Sequence, residues 1–155
     1  MNRLERVRQI VDDIVRRQPD SEESRCGFVH LYGVSDTCTL QALRRGMDRQ
    51  ICATAGMLHD IWNYETNDPT DHARLGAARA RAILLQTGAY TEEEIDAICD
   101  AIAHHSDKAS VHGPLAELLK DADVLQHYLY TEAVLQPQWK GHARLMRMRA
   151  ELGLA

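Results

Sequence analysis

The sequence predicts an all-α fold, a single helical bundle of six to seven helices, on three observations. Its 155 residues amount to about one domain, helix-forming residues lead the composition, and apolar residues recur at helical rather than alternating spacing. The apolar share of 45% is ordinary for a globular protein and argues against wholesale disorder. A net charge of -5 argues against general nucleic-acid binding, which needs a basic surface to meet phosphates.

The elements follow in order. Leu4, Val7, Ile10, Val11, Ile14 and Val15 keep helical spacing and predict a helix over 2–17, stopped at Gln18-Pro19. Ser21 is placed as the cap of a second helix. It carries Phe28-Val29-His30-Leu31, with a break near Gly33, and runs to Arg45, with Gly46 as its stop. Asp48 caps a third helix through Ile51, Ala55, Leu58 and Trp62. No charge falls between Ile51 and Leu58, so this helix belongs in the middle of the fold. Residues 63–70 read as a loop, with Asp68-Pro69 opening a helix that closes at Gly88. Thr91 and Glu94 have capping-box spacing for a helix to about His105. Gly113-Pro114 opens another, through Leu118, Leu119, Val124 and Leu125. The last spans His142 to Leu152, where Arg144, Arg147 and Arg149 together with Leu145, Met146 and Met148 suggest an amphipathic helix docked on the domain. No repeat or linker divides the chain, so one domain is expected over 1–155.

The charged N-terminus has no apolar stretch of signal-peptide length, and no run reaches the roughly 20 apolar residues of a membrane span. A cytoplasmic protein without a membrane partner is expected. Cys26, Cys38, Cys52 and Cys99 lie far apart with no C-x-x-C, as buried thiols do.

The chemistry centres on Met57-Leu58-His59-Asp60-Ile61, where a histidine and a carboxylate end the most buried helix. An ionised carboxylate is costly to bury unless something positive compensates it. A divalent cation does so, and imidazole with carboxylate suits a transition metal. Taken alone, such a dipeptide reads as a helix-terminal Asp beside a packed His, and His30 as a satisfied core histidine. Lys120-Asp121-Ala122-Asp123-Val124-Leu125 puts two more carboxylates in an apolar helix, Asp123 being the more interior candidate. Occurring together, these residues point to one metal site.

The order His30, His59-Asp60, Asp123 resembles the metal-binding signature of the HD-domain phosphohydrolase superfamily, over about residues 24–130. The segments GMDRQICATAGMLHDI and LLKDADVLQHY carry the resemblance best. Asp71-His72 and Ala103-His104-His105 extend it toward relatives with two metals. His105 continues the stripe of Ile95, Ile98 and Ile102, whereas His104 lies about 100° around the helix with Asp100 one turn before it.

The resemblance implies a helical bundle that hydrolyses a small nucleotide or phosphate ester, with one or two ions of iron, manganese, nickel, cobalt or zinc. On this chain His30, His59, Asp60 and Asp123 would hold one metal. Asp60, the expected catalytic residue, would bridge to a second metal held by His72, His104 and His105. Lys108, just beyond, is either a phosphate contact or a solvated loop lysine. His112, His127 and His142 fall outside the pattern and are expected at the surface. Relatives that cleave guanosine bis-phosphates carry a Glu-Asp pair after the motif, but here Ile61-Trp62-Asn63-Tyr64 follows, with Glu65 displaced. The Gly-Tyr-Pro extension of cyclic-di-GMP-cleaving relatives is absent too, since Ser106-Asp107-Lys108 follows His105. A non-enzymatic metal-stabilised or sensory module, and a di-iron oxygenase, would use the same ligands.

Overall fold

The computed structural model describes residues 2–154, and every regular element among them is helical. Seven helices have ten residues or more: α1 (Arg3–Arg16), α2 (Ser21–Arg45), α3 (Arg49–Leu58), α5 (His72–Thr87), α6 (Glu92–His104), α7 (Pro114–Tyr130) and α8 (His142–Leu152). A six-residue α4 (Ile61–Thr66) and a 3-10 turn (Glu132–Leu135) complete the described chain. No helix among the described residues is long and apolar enough to cross a membrane.

The caps set the frame. Asp20, not Ser21, caps α2, its carboxylate accepting from the backbone N–H groups of Glu22 and Glu23. Asp48 does the same for α3, and Thr91 and Glu94 close the expected capping box on α6. Gly33 does not break α2, which runs unbroken for 25 residues. Asp68 caps only a turn, accepting from the Thr70 N–H, and the next helix begins later, at His72.

Helix α3 lies at the centre, against α1, α2, α6 and α7, and every residue from Cys52 to Leu58 is buried. Its uncharged run thus meets neighbours on all sides. Gly56 is where α2 comes closest, since a Cβ there would lie 2.9 Å from Ser35 Cα and from the Val34 carbonyl oxygen. The cysteine thiols are free, with Cys38, Cys52 and Cys99 buried and Cys26 partly so.

Helix α7 is buried continuously from Leu118 to Gln126, charged residues included. Asp121 is neutralised by Arg45 of α2 and by Arg144 and Arg147 of α8. That clasp, together with buried Leu145 and Met148, docks the C-terminal helix. Lys120 is fully buried, and its ammonium donates to Ser110 O, His112 Nδ1 and Glu117 Oε1 at 2.7–2.9 Å.

Glu117 joins the two clusters. Partial burial would raise its pKa, but Lys120, the His112 N–H and Arg144 outweigh this and hold it at about 2 against an ordinary 4.5. A carboxyl whose folded pKa is depressed stabilises the fold fully above its unfolded pKa, and the gain is lost as pH falls through the folded value. Glu117→Gln is therefore expected to cost on the order of 2 kcal/mol at pH 7, allowing for the partly exposed side chain. The gap between the two melting curves should close as pH is lowered from about 4.5 towards about 2. A gap that stays constant with pH would assign the loss to packing.

Candidate metal centre

The site forms where α3 stops. Adjacent side chains on an unbroken helix point about 100° apart and cannot meet. The third helix does not continue to Trp62 as its pattern suggests. It ends at Leu58, and Asp60 leaves the helical region at φ -111°, ψ 17° before α4 begins. The break lets neighbours converge, with His59 Nε2 3.3 Å from Asp60 Oδ2.

Four imidazoles meet there in one tautomer. The Nδ1 atoms of His59, His72 and His105 donate to the backbone carbonyls of Gly56, Pro69 and Ile102 at 2.7–3.0 Å. His30 Nδ1 donates to Gln126 Oε1 at 2.8 Å. A neutral ring that donates through Nδ1 presents a bare lone pair on Nε2. Each of these lone pairs is directed at the carboxylate of Asp60 and its neighbours. His30 Nε2 and His59 Nε2 stand only 3.1 Å apart, a repulsive contact unless something positive lies beside them.

Asp60 divides its oxygens between two pairs of rings. Oδ2 lies 3.3 Å from the Nε2 atoms of both His30 and His59. Oδ1 lies 3.1 Å from His105 Nε2 and 3.5 Å from His72 Nε2. Asp123 Oδ1 approaches the first pair at 3.7 and 3.8 Å. Two trios close enough to hold an ion result, His30-His59-Asp60 and Asp60-His72-His105, sharing Asp60.

These residues fit a divalent metal. The Oδ1 atoms of Asp60 and Asp123 are buried yet accept no hydrogen bond, which is costly for anionic oxygens unless a cation sits against them. Neutral imidazole nitrogens and carboxylate oxygens are the donors that zinc, iron, manganese, nickel and cobalt accept. Burial would raise the Asp60 carboxyl, but His59, His105 and His30 hold it well below the usual carboxylate range. Burial is likewise outweighed at Asp123, by Lys108, His127 and the two inner histidines. The His59 ring is pushed down by burial and still lies above its ordinary value because of Asp60 and Asp123, while burial prevails at His105 and lowers it.

Four residues stand where the sequence does not put them. His104 is outside the cluster: its Nδ1 donates to the Asp100 carbonyl, and its ring stacks on His112 with centroids 4.1 Å apart. Its neighbour His105 alone reaches Asp60 because it lies on the buried stripe of α6. Lys108 is no solvated loop lysine, since its side chain is 6% exposed and its ammonium holds Asp123 Oδ2 and the His105 carbonyl. His127, expected at the surface, is half-buried in the site, with Nε2 3.4 Å from Asp123 Oδ1, and makes a further possible trio with His30 and Asp123. The signal for it was present, because it lies one turn after Asp123. His112 is also tied down, by Lys120. Glu65 pairs with Arg79 of α5, away from the site. His104→Ala is accordingly expected to leave metal content and affinity within about twofold of wild type. Loss of an ion from that variant would return His104 to the ligand set.

The centre opens on two cavities that share Asp60, Asn63 and His127. One, of about 300 Å³, is polar and includes His72, His105, Asp123, Lys108 and Lys140. The other, of about 400 Å³, lies on the His30 side and is more apolar, with Val29, Tyr64 and Tyr130.

The family model described as HD domain matches residues 27–128. No curated protein and no solved structure matches the chain significantly. That match covers about two thirds of the chain, including His30, the His59-Asp60 pair and Asp123, and the chain belongs to the HD-domain family.

Proposed function

We propose that this protein is a metal-dependent phosphohydrolase acting on a small phosphate ester, a nucleotide among them, in which His30, His59, Asp60 and Asp123 would hold one divalent ion and Asp60, His72 and His105 a second. The observation that carries the reading is the split of the Asp60 carboxylate between two histidine pairs, beside a polar cavity lined by two lysines. When bound, paired divalent ions supply a water of lowered pKa and neutralise charge on phosphate.

The chain's own residues do the rest. The main-chain carbonyls of Gly56, Pro69 and Ile102 hold three rings in the tautomer that leaves Nε2 free. Lys108 keeps Asp123 ionised and turned into the site. Six donors with only two carboxylates among them give a metal-loaded centre of net positive charge. An anionic ester is therefore attracted despite the acidic chain.

The test is release of inorganic phosphate from nucleoside monophosphates and p-nitrophenyl phosphate, with Mn²⁺, Ni²⁺, Co²⁺, Fe²⁺ or Zn²⁺ supplied in turn. Activity with at least one metal, abolished by chelator, is expected. A wide ester panel that yields no phosphate with any of these metals overturns the reading, and oxygen uptake by iron-loaded protein would replace it with an oxygenase.

A further inference from the structure

The family match stops at residue 128, yet the chain beyond it builds one wall of the polar cavity. Residues 131–141 comprise the 3-10 turn and the loop into α8. They are held by a small core of their own, in which Trp139 packs with Val124, Val134 and Leu145, apart from the main core. The Trp139 ring meets the His127 ring edge-on at 5.9 Å. It also lies across Gly141, where a Cβ would come within 2.4 Å of the indole. Lys140 stands between these two anchored residues, on the cavity rim.

The chain has three lysines, and two are committed. Lys120 is buried among three acceptors and Lys108 is bound to Asp123 and the His105 carbonyl. Lys140 is exposed, lines the cavity, and has no hydrogen bond or ion pair among the described residues. No arginine lines this cavity among those residues either. A free ammonium on the lining of a cavity that also holds the metal donors is placed to meet an anion.

We propose that residues 131–141 form the substrate-selecting wall of this site, with Lys140 as the anchor for an anionic oxygen group of the ligand, phosphate above all. The inference rests on the reading of the site as one for phosphate esters and adds the residue that fixes where the anion lies. Trp139 and Gly141 are positioning residues here, since they act through Lys140 and His127.

Inorganic phosphate is the probe, titrated calorimetrically into metal-loaded full-length protein whose metal content has been measured. Lys140→Arg should bind as wild type does. Lys140→Gln should bind about fivefold and Lys140→Glu about twentyfold more weakly, with metal content unchanged. The salt dependence of binding should be shallower in Lys140→Gln than in wild type. Gly141→Ala, which displaces the indole and leaves every charge in place, should weaken phosphate binding without loss of metal. Unchanged affinity in Lys140→Glu overturns the anchor alone, and unchanged affinity in Gly141→Ala overturns the role of the wall. Wild-type protein that binds no phosphate and releases none from any ester overturns this proposal together with the phosphohydrolase reading.

Discussion

Asp60→Ala is expected to empty the whole metal centre and to lower phosphate release by at least about a thousandfold, some 4 kcal/mol of lost transition-state stabilisation. Each oxygen of this carboxylate faces its own pair of imidazoles, so its loss removes the one anion common to both trios. The contrast with the outer ligands makes the experiment decisive. His72→Ala should lose one ion and keep the other, because His30, His59 and Asp60 remain. Elemental analysis should therefore read two ions per chain in wild type, one in His72→Ala and none in Asp60→Ala. Metal at one hundred times its dissociation constant stabilises by about 2.7 kcal/mol, so the wild-type melting point should fall on chelation and that of Asp60→Ala should not move. Full metal occupancy in Asp60→Ala would take the bridging role away from this residue.

Gly56→Ala is expected to be the most damaging single methyl that α3 can receive. The added carbon would meet backbone atoms of Ser35 and Val34 at 2.9 Å, and backbone cannot rotate out of the way as a side chain does. Forcing α2 and α3 apart should cost about 3 kcal/mol, the upper end for overpacking a core. The damage should extend beyond stability, because the Gly56 carbonyl is the acceptor that orients His59. Denaturant unfolding and metal titration on the same sample test both parts, with weaker metal binding expected even in the folded fraction. A variant that melts early but binds metal normally would separate the two effects.

Much of this architecture could be read from local patterns. The capping box of α6, the burial of the uncharged run of α3 and the span of α8 follow from side-chain chemistry within one or two turns, and α6 and α8 stand as expected, whereas α3 stops short of Trp62 at Leu58. What local pattern misses is set by distant partners. Gly33 reads as a helix breaker by propensity, but α2 runs unbroken through it where it packs against α7. Helix α4 is too short to show a periodic signal, and its start follows from the turn at Asp60.

The candidate site divides along the same line. Asp123 reads as the more interior of the two carboxylates, yet both are buried. They differ in their partners, arginines from α2 and α8 for Asp121 and the histidine cluster for Asp123. The angular separation of His104 and His105 was legible, and the apolar stripe already favoured His105. His127 reads as a surface residue because its only sequence clue is a one-turn spacing from Asp123, which surface histidines share.

The way the rings are keyed bears on how such a centre can drift over evolutionary time. Three of the four inner imidazoles are oriented by main-chain carbonyls, which no substitution can delete. The fourth, His30, depends on Gln126, and Gln126 has room only because residue 33 lacks a Cβ, which would fall 2.8 Å from its Cγ. Among the four rings, inheritance therefore reaches the Nδ1 acceptor of only one, His30, through a side chain. A glutamate at 126 would turn a neutral acceptor into an anionic one and make His30 a stronger donor, while its three companions stayed as they were. Lineages that change their metal preference without changing a ligand have this pair of positions, 33 and 126, in which to do it.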